Sequence, residues 1–332
     1  MRCESSLRRR FLLAASAMAV PSLLGSRALG QTILPDKTLH ILVGFAPGGG
    51  ADQMARAIAS PLERRLGRHV FVENRPGGTA AIPGELLASG PRDGSSIAFL
   101  ASTTLASKFV VNAFPFDPLT DVTPICIAGN VPTGLAVSPR IGVANLADYL
   151  SWMKEGGADR RRIGNTSSSA FVEVFTKLIG RESNVTLEIV PYRGSAPMVN
   201  DLASGRLPAC VTAITSLLEH HRGGRVRLIM SSGRQRSAVA PDVPTAAELG
   251  YPNLEVWEWF GFFAAAGTPD SIIDEWNKRI IAVLGDREVK AELTQLGLDV
   301  APSTPAEARA RLASYLIEWK KRLEEVGMST VN

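Results

Sequence analysis

The sequence predicts an α/β protein with largely parallel sheets, helices on both sheet faces, and two domains. Short apolar runs alternate with helix-spaced patterns along most of the chain beyond residue 30, the alternation that produces such sheets. The 302 residues beyond that point exceed what a single hydrophobic core usually organises. A glycine-rich turn joins the first apolar run to the first helical pattern, and open α/β sheets bind ligands at such strand-to-helix loops.

Residues 1–30 read as an export leader. Arg8-Arg9-Arg10 forms a basic region, Phe11 to Ser26 carries no charge, and Ala28-Leu29-Gly30 offers small residues for cleavage before Gln31. The apolar run is shorter than the ~20 residues of a membrane span. Its Arg-Arg-x-Phe-Leu spacing resembles a twin-arginine signal, with Leu7 where Ser or Thr is usual; an ordinary Sec leader is the other reading. Cys3 precedes the apolar run, so no lipobox is present. The expectation is a soluble periplasmic protein, cleaved near Gly30.

The formal net charge of +4 comes largely from this leader. Without its five Arg and one Glu, Lys+Arg and Asp+Glu both stand at 31. A near-neutral chain without basic blocks gives no support for nucleic-acid binding. Arg160-Arg161-Arg162 reads as a solvated turn. Cys126 and Cys210 lie in apolar segments and are expected to be buried free thiols.

Leu39 to Phe45 reads as a buried strand, Pro47-Gly48-Gly49-Gly50 as a turn, and Asp52 onward as an amphipathic helix with Met54, Ile58 and Leu62 on one face. Further strands are expected at Val70–Glu73, Ser96–Leu100, Thr123–Ala128, Gly134–Val137, Arg162–Gly164, Glu188–Tyr192, Ala209–Ile214 and Arg227–Met230. Helical spacing marks Ile82–Ala88, Leu146–Lys154, Ala170–Ile179, Ala196–Ala203 and Ile272–Leu284. Pro305 to Val326 is a charged amphipathic helix with Ala310, Leu312, Tyr315, Leu316 and Trp319 on its apolar side.

No Gly-x-Ser-x-Gly, His-Glu-x-x-His, Cys-x-x-Cys or Walker loop occurs. Gly48 and Gly50 lack the third glycine of a dinucleotide fingerprint. His40, His69, His220 and His221 have no carboxylates at metal-ligand spacing. The expectation is no catalytic residues, no metal and no cofactor.

Several segments together resemble the solute-binding receptors of the tripartite tricarboxylate transporter family, also called Bug receptors. His40 to Arg56 resembles their strand–Pro-Gly-Gly–Asp opening, and Val72-Glu73-Asn74-Arg75-Pro76-Gly77 their Val-Glu-Asn-Arg-Pro-Gly. Pro91-Arg92-Asp93-Gly94, Phe116-Asp117-Pro118 and Val190 to Pro197 follow in register. Pro241 to Thr245, Glu248-Leu249-Gly250, Trp259-Phe260-Gly261 and Ala266 to Pro269 complete the series. The resemblance implies a two-lobed periplasmic-binding-protein-like fold (type II-like) with the ligand cleft between the lobes. It places residues 31–135 with 254–332 in lobe one and 136–253 in lobe two. It further implies a monomeric receptor for a small organic acid, partnered by permease subunits of a tripartite tricarboxylate-type transporter. An orphan receptor presenting its ligand to a sensor ectodomain is a second reading. A periplasmic hydrolase built on the serine cluster is a third, and it lacks a base near those serines in sequence.

The candidate ligand-binding residues are Pro47, Gly48, Gly49, Gly50, Asp52, Ser102, Thr103, Thr166, Ser167, Ser168, Tyr192, Arg193, Gly194 and Ser195. A helix N-terminus after a glycine turn suits an anion, although a tight turn alone also asks for glycine. Asp52 would repel an anion and fits a first-turn role as well. Ser102, Thr103 and Thr104, like Thr166 to Ser169, can donate hydroxyls or cap a helix. Tyr192 and Arg193 close a strand, and the Arg193 fork suits a carboxylate; exposure is its other reading. The sequence departs from the family pattern in the short Gly164–Ser169 loop, in Gly78-Thr79-Ala80-Ala81, and in Thr212-Ala213 where an acidic residue is common. The last departure weakens the case for an amino-acid ligand, whose ammonium needs an acceptor.

Overall fold

The computed structural model describes residues 33–165, 170–192, 195–256, 258–328 and 330–331; the expected leader lies outside them. The first stretch runs β1 (Leu39–Val43), α1 (Gly50–Leu66), β2 (Val70–Asn74), α2 (Ile82–Ser89), β3 (Ser96–Ala101), α3 (Ser102–Ala106) and β4 (Val122–Val131). After Pro132 come β5 (Thr133–Val137), α4 (Leu146–Lys154), β6 (Arg162–Asn165), α5 (Ala170–Ser183), β7 (Glu188–Pro191), α6 (Ser195–Ser204), β8 (Ala209–Ala213), α7 (Thr215–Arg222) and β9 (Arg227–Ser231). The chain ends with β10 (Glu258–Ala265), α8 (Asp270–Leu284), α9 (Arg287–Gln295), β11 (Asp299–Val300) and α10 (Pro305–Glu325). Every strand and helix expected from the sequence is present.

The strands form two sheets, ordered β11-β4-β10-β3-β1-β2 and β7-β6-β8-β5-β9, giving a two-lobed α/β protein. In β1, Leu39, Ile41 and Val43 enter one core cluster while Leu42 enters another. In β3, Ile97 and Phe99 oppose Ala98 and Leu100 in the same way. Burial on both faces explains why these strands read as unbroken apolar runs. The helix α1 ends on Gly67 in the left-handed conformation (φ 64°). At α10, Thr304 and Glu307 form a capping box that brackets Pro305, the first helical residue.

The expectation of largely parallel sheets is corrected. β1 pairs in parallel with β2 and β3, but β10 runs antiparallel to both β3 and β4. In the second sheet β6 is parallel to β7 and β8, whereas β5 is antiparallel to β8 and β9. Of the reversed strands β5, β10 and β11, the first two follow a passage from one sheet to the other. Each enters its sheet at the junction end, where the strands around it finish. The first passage lies at Pro132, three residues before the expected boundary at 135.

The two passages bond to each other. Ser232 N–H donates to the Thr133 carbonyl (2.8 Å), Thr133 N–H to Ser232 Oγ (3.3 Å), and Val256 N–H to the Ser232 carbonyl (3.1 Å). The helix α10 also bridges the lobes: Trp319 stacks on Phe171 of α5 at 5.6 Å and 9°. Cys126 and Cys210 are buried and unpaired, as expected. Arg160 differs from a freely solvated residue, because its guanidinium lies 4.8 Å from the centre of the Trp152 ring.

Candidate functional site

The registers place the carboxyl ends of β1, β3 and β4 at one end of the first sheet, beside the start of β10. The carboxyl ends of β6 and β8 lie beside the start of β5 in the second sheet. Pro132 alone separates β4 from β5, so these strand ends of both sheets lie on the side where the chain passes from one sheet to the other.

At the end of β1, Gly44 has no space for a side chain: a Cβ there would stand 2.4 Å from the Ala80 carbonyl oxygen. Pro47 follows, and Gly48 takes φ +78°, the left-handed conformation that glycine adopts freely. Gly49 is the N-cap of α1, with extended backbone and no side-chain cap. Gly50 begins the helix, so its first-turn N–H groups have no partner within the helix.

Asp52 is buried, 3% exposed, and its carboxylate is fully engaged. It accepts from Gly48 N–H (2.8 Å), Arg56 Nε (2.9 Å) and Asn74 Nδ2 (2.9 Å). Burial raises its pKa, but the bonds from Arg56, Gly48 and Asn74 outweigh burial and hold it below the usual carboxylate range. Asn74 also donates to the Phe45 carbonyl (3.1 Å). Asp52 therefore fixes the glycine turn against the end of β2, and Arg56 neutralises the charge that would repel an anion. Arg56 was legible at i+4 from Asp52, whereas its partnership with Asn74 needed the fold.

Ser102 is fully buried and its Oγ accepts Trp259 N–H (3.1 Å), tying α3 to β10. Thr103 Oγ1 donates to Glu258 Oε1 (2.9 Å). Burial raises the Glu258 carboxyl above its ordinary range, an effect that the Thr103 bond partly offsets. Neither partner is apparent from sequence, since Ser102 and Trp259 stand 157 residues apart. In the second sheet, Tyr192 N–H donates to the Asn165 carbonyl (2.8 Å) and Tyr192 OH to Asp201 Oδ2 (2.9 Å). Burial, reinforced by Asp201, pushes the Tyr192 phenol up to about 12. Ser195 begins α6.

Pro47, Gly48, Gly49, Gly50, Asp52, Ser102 and Thr103 thus gather at the end of one sheet, and Tyr192 and Ser195 at the end of the other. Thr166, Ser167, Ser168, Ser169, Arg193 and Gly194 lie outside the described residues. Among the described residues no group of three or more His, Cys, Asp or Glu is placed to hold a metal ion, and no helix is long and apolar enough to cross a membrane.

Comparison with known proteins matches residues 54–328 to the family described as the tripartite tricarboxylate transporter family receptor. Protein BugT of Bordetella pertussis is 29% identical over 88% of this chain and 90% of its own. The R. palustris protein Rpa4515, solved with adipate, superimposes with TM-score 0.76 at 27% identity, over 89% of this chain and 99% of its own. MatC from Rhodopseudomonas palustris, solved with bound malate, superimposes with TM-score 0.72 at 26% identity, over 87% and 100%.

Proposed function

The chain belongs to the tripartite tricarboxylate transporter receptor family, and we propose that it is a periplasmic receptor that captures a small organic carboxylate and delivers it to the permease subunits of such a transporter. In this reading residues 1–30 are a signal peptide cleaved near Gly30, and the mature protein acts as a monomer without a cofactor. Lobe one comprises residues 31–135 and 254–332 and lobe two residues 136–253, with the two crossings between them forming the hinge. The ligand carboxylate lies between the Pro47–Gly50 turn, Ser102 and Thr103 on one side and the 166–168 and 192–195 loops on the other.

The observation that carries this reading is the neutralised Asp52 beneath the glycine turn. With Arg56 and Asn74 occupying that carboxylate, the N-terminus of α1 keeps the positive end of its dipole for an anion. Two similar proteins hold the dicarboxylates malate and adipate. Contacts from two lobes that form only on closure would couple binding to closure.

A thermal-shift screen against organic acids tests the proposal. A ligand at a hundred times its dissociation constant stabilises the native state by about 2.7 kcal/mol. Gly49 already has extended backbone (φ −73°), and in Gly49→Val the Cβ stands 3.2 Å from the Ala46 carbonyl oxygen, a tight contact that a shift of a few tenths of an ångström relieves, so the fold should persist while affinity for the acid found by screening falls at least about tenfold. Unchanged affinity in that variant, or no stabilising acid at all, defeats the proposal.

A further inference from the structure

The first sheet carries a carboxylate at the end where the glycine turn lies. Glu258 opens β10 there, opposite Val131 of β4 and bonded to Thr103 of α3. Glu258 and Phe260 share one face of β10, because side chains alternate along a strand. Phe260 packs in the cluster that holds Met54 and Ile58 of α1. Its ring lies 6.2 Å from that of Phe45, two residues before Pro47. Glu258 therefore stands on the α1 side of the sheet, at the end where α1 begins.

The hydroxyls around it are already committed. Thr103 donates its proton to Glu258 Oε1 (2.9 Å), and Ser102 is fully buried with its Oγ accepting Trp259 N–H (3.1 Å). What remains is acceptors: the Thr103 lone pairs and Glu258 Oε2, which takes no hydrogen bond among the described residues. Glu258 lines a pocket of about 450 Å³ beside Pro132, within the ~300–1,000 Å³ of small-molecule sites. Arg234, Arg236 and Lys290 line the same pocket. Arg234 is held by Glu255 (2.6 Å) and Arg236 by Glu248 (2.9 Å), and none of the three forms an ion pair with Glu258. Burial raises the Glu258 carboxyl, offset in part only by the neutral Thr103 hydroxyl. Ala213 of β8, which pairs with Thr133 on the far side of Pro132, packs against the cluster of Val131 and Phe260 and brings no polar side chain.

Resting on the receptor reading above, we propose that Glu258 selects the ligand, and that the acid captured carries an ammonium group as well as a carboxylate. The carboxylate takes the N-terminus of α1. The ammonium donates to Glu258 Oε2 and supplies the countercharge that this half-buried side chain lacks among the described residues. A plain dicarboxylate would set a second negative charge against Glu258. In this the chain differs from the two similar proteins solved with adipate and malate.

Calorimetry with matched acids tests the selection. Each ammonium acid of the thermal-shift screen is set beside its deaminated analogue, as alanine beside propionate and 4-aminobutyrate beside butyrate. The ammonium acid that binds is expected to do so at least about tenfold more tightly than its analogue. Glu258→Gln keeps the shape and the acceptor for Thr103 but removes the charge. The thermal transition should therefore persist while that preference shrinks at least about tenfold. A deaminated acid that binds as tightly as its ammonium partner overturns the proposal, as does a preference unchanged in Glu258→Gln. If that binding is still lost in Gly49→Val, the receptor reading stands without this one; if no acid of either kind binds, both fail.

Discussion

Asp52 illustrates how a single charge holds a turn through its own hydrogen bonds. Its folded pKa lies below the unfolded value of about 3.9, so the unfolded chain takes up the proton first as pH falls. The stability contributed by Asp52 is therefore complete above that unfolded value and is lost as pH falls through the lower folded one. Asp52→Asn should cost about 1.5–3 kcal/mol at neutral pH, the range for hydrogen bonds to a charged group, and flatten the acid limb of stability. Urea unfolding across a pH series measures both; an equally steep acid limb in the variant contradicts the assignment. At this scale the glycine turn was legible because it is local, a matter of φ and spacing. The Asn74 bond to Asp52 was not legible, because it spans 22 residues and requires β1 and β2 to lie side by side.

Most elements were legible because doubly buried strands and amphipathic helices impose patterns on short windows of sequence. Strand direction was not, since it depends on where the chain passes between sheets. β10 shows in the sequence only through its Trp259-Phe260-Gly261 motif, although it occupies the centre of its sheet. There Phe99 of β3 packs on Phe260 (5.0 Å) and Phe262 (4.8 Å). Phe99→Ala should cost about 3–5 kcal/mol through the cavity it leaves, seen as a lower urea midpoint at unchanged slope. Thr304→Ala removes only the α10 cap and should cost about 1 kcal/mol. If the two losses are equal in parallel melts, the centre of the sheet is not where stability concentrates.

Across the whole molecule, the two cysteines occupy different sheets, and burial pushes both thiols up to about 12. A thiol reagent at pH 8 should leave both untouched in the native protein and modify both in urea; rapid native labelling of either contradicts their burial. The central position of β10 also sets an order of events during folding. Every strand of the second sheet lies between Thr133 and Ser231, whereas the first sheet needs β10, which follows them all. Until residues 258–265 arrive, β3 and β4 have no neighbour to join them, and long-range pairings of this kind form slowly. The second lobe is therefore free to fold first, while the first lobe waits as an open half-sheet. Pulse-labelled hydrogen exchange should show protection in β6 and β8 before β3 and β10, and the reverse order would contradict this. A chain built this way delays its own completion until nearly all of it has been made.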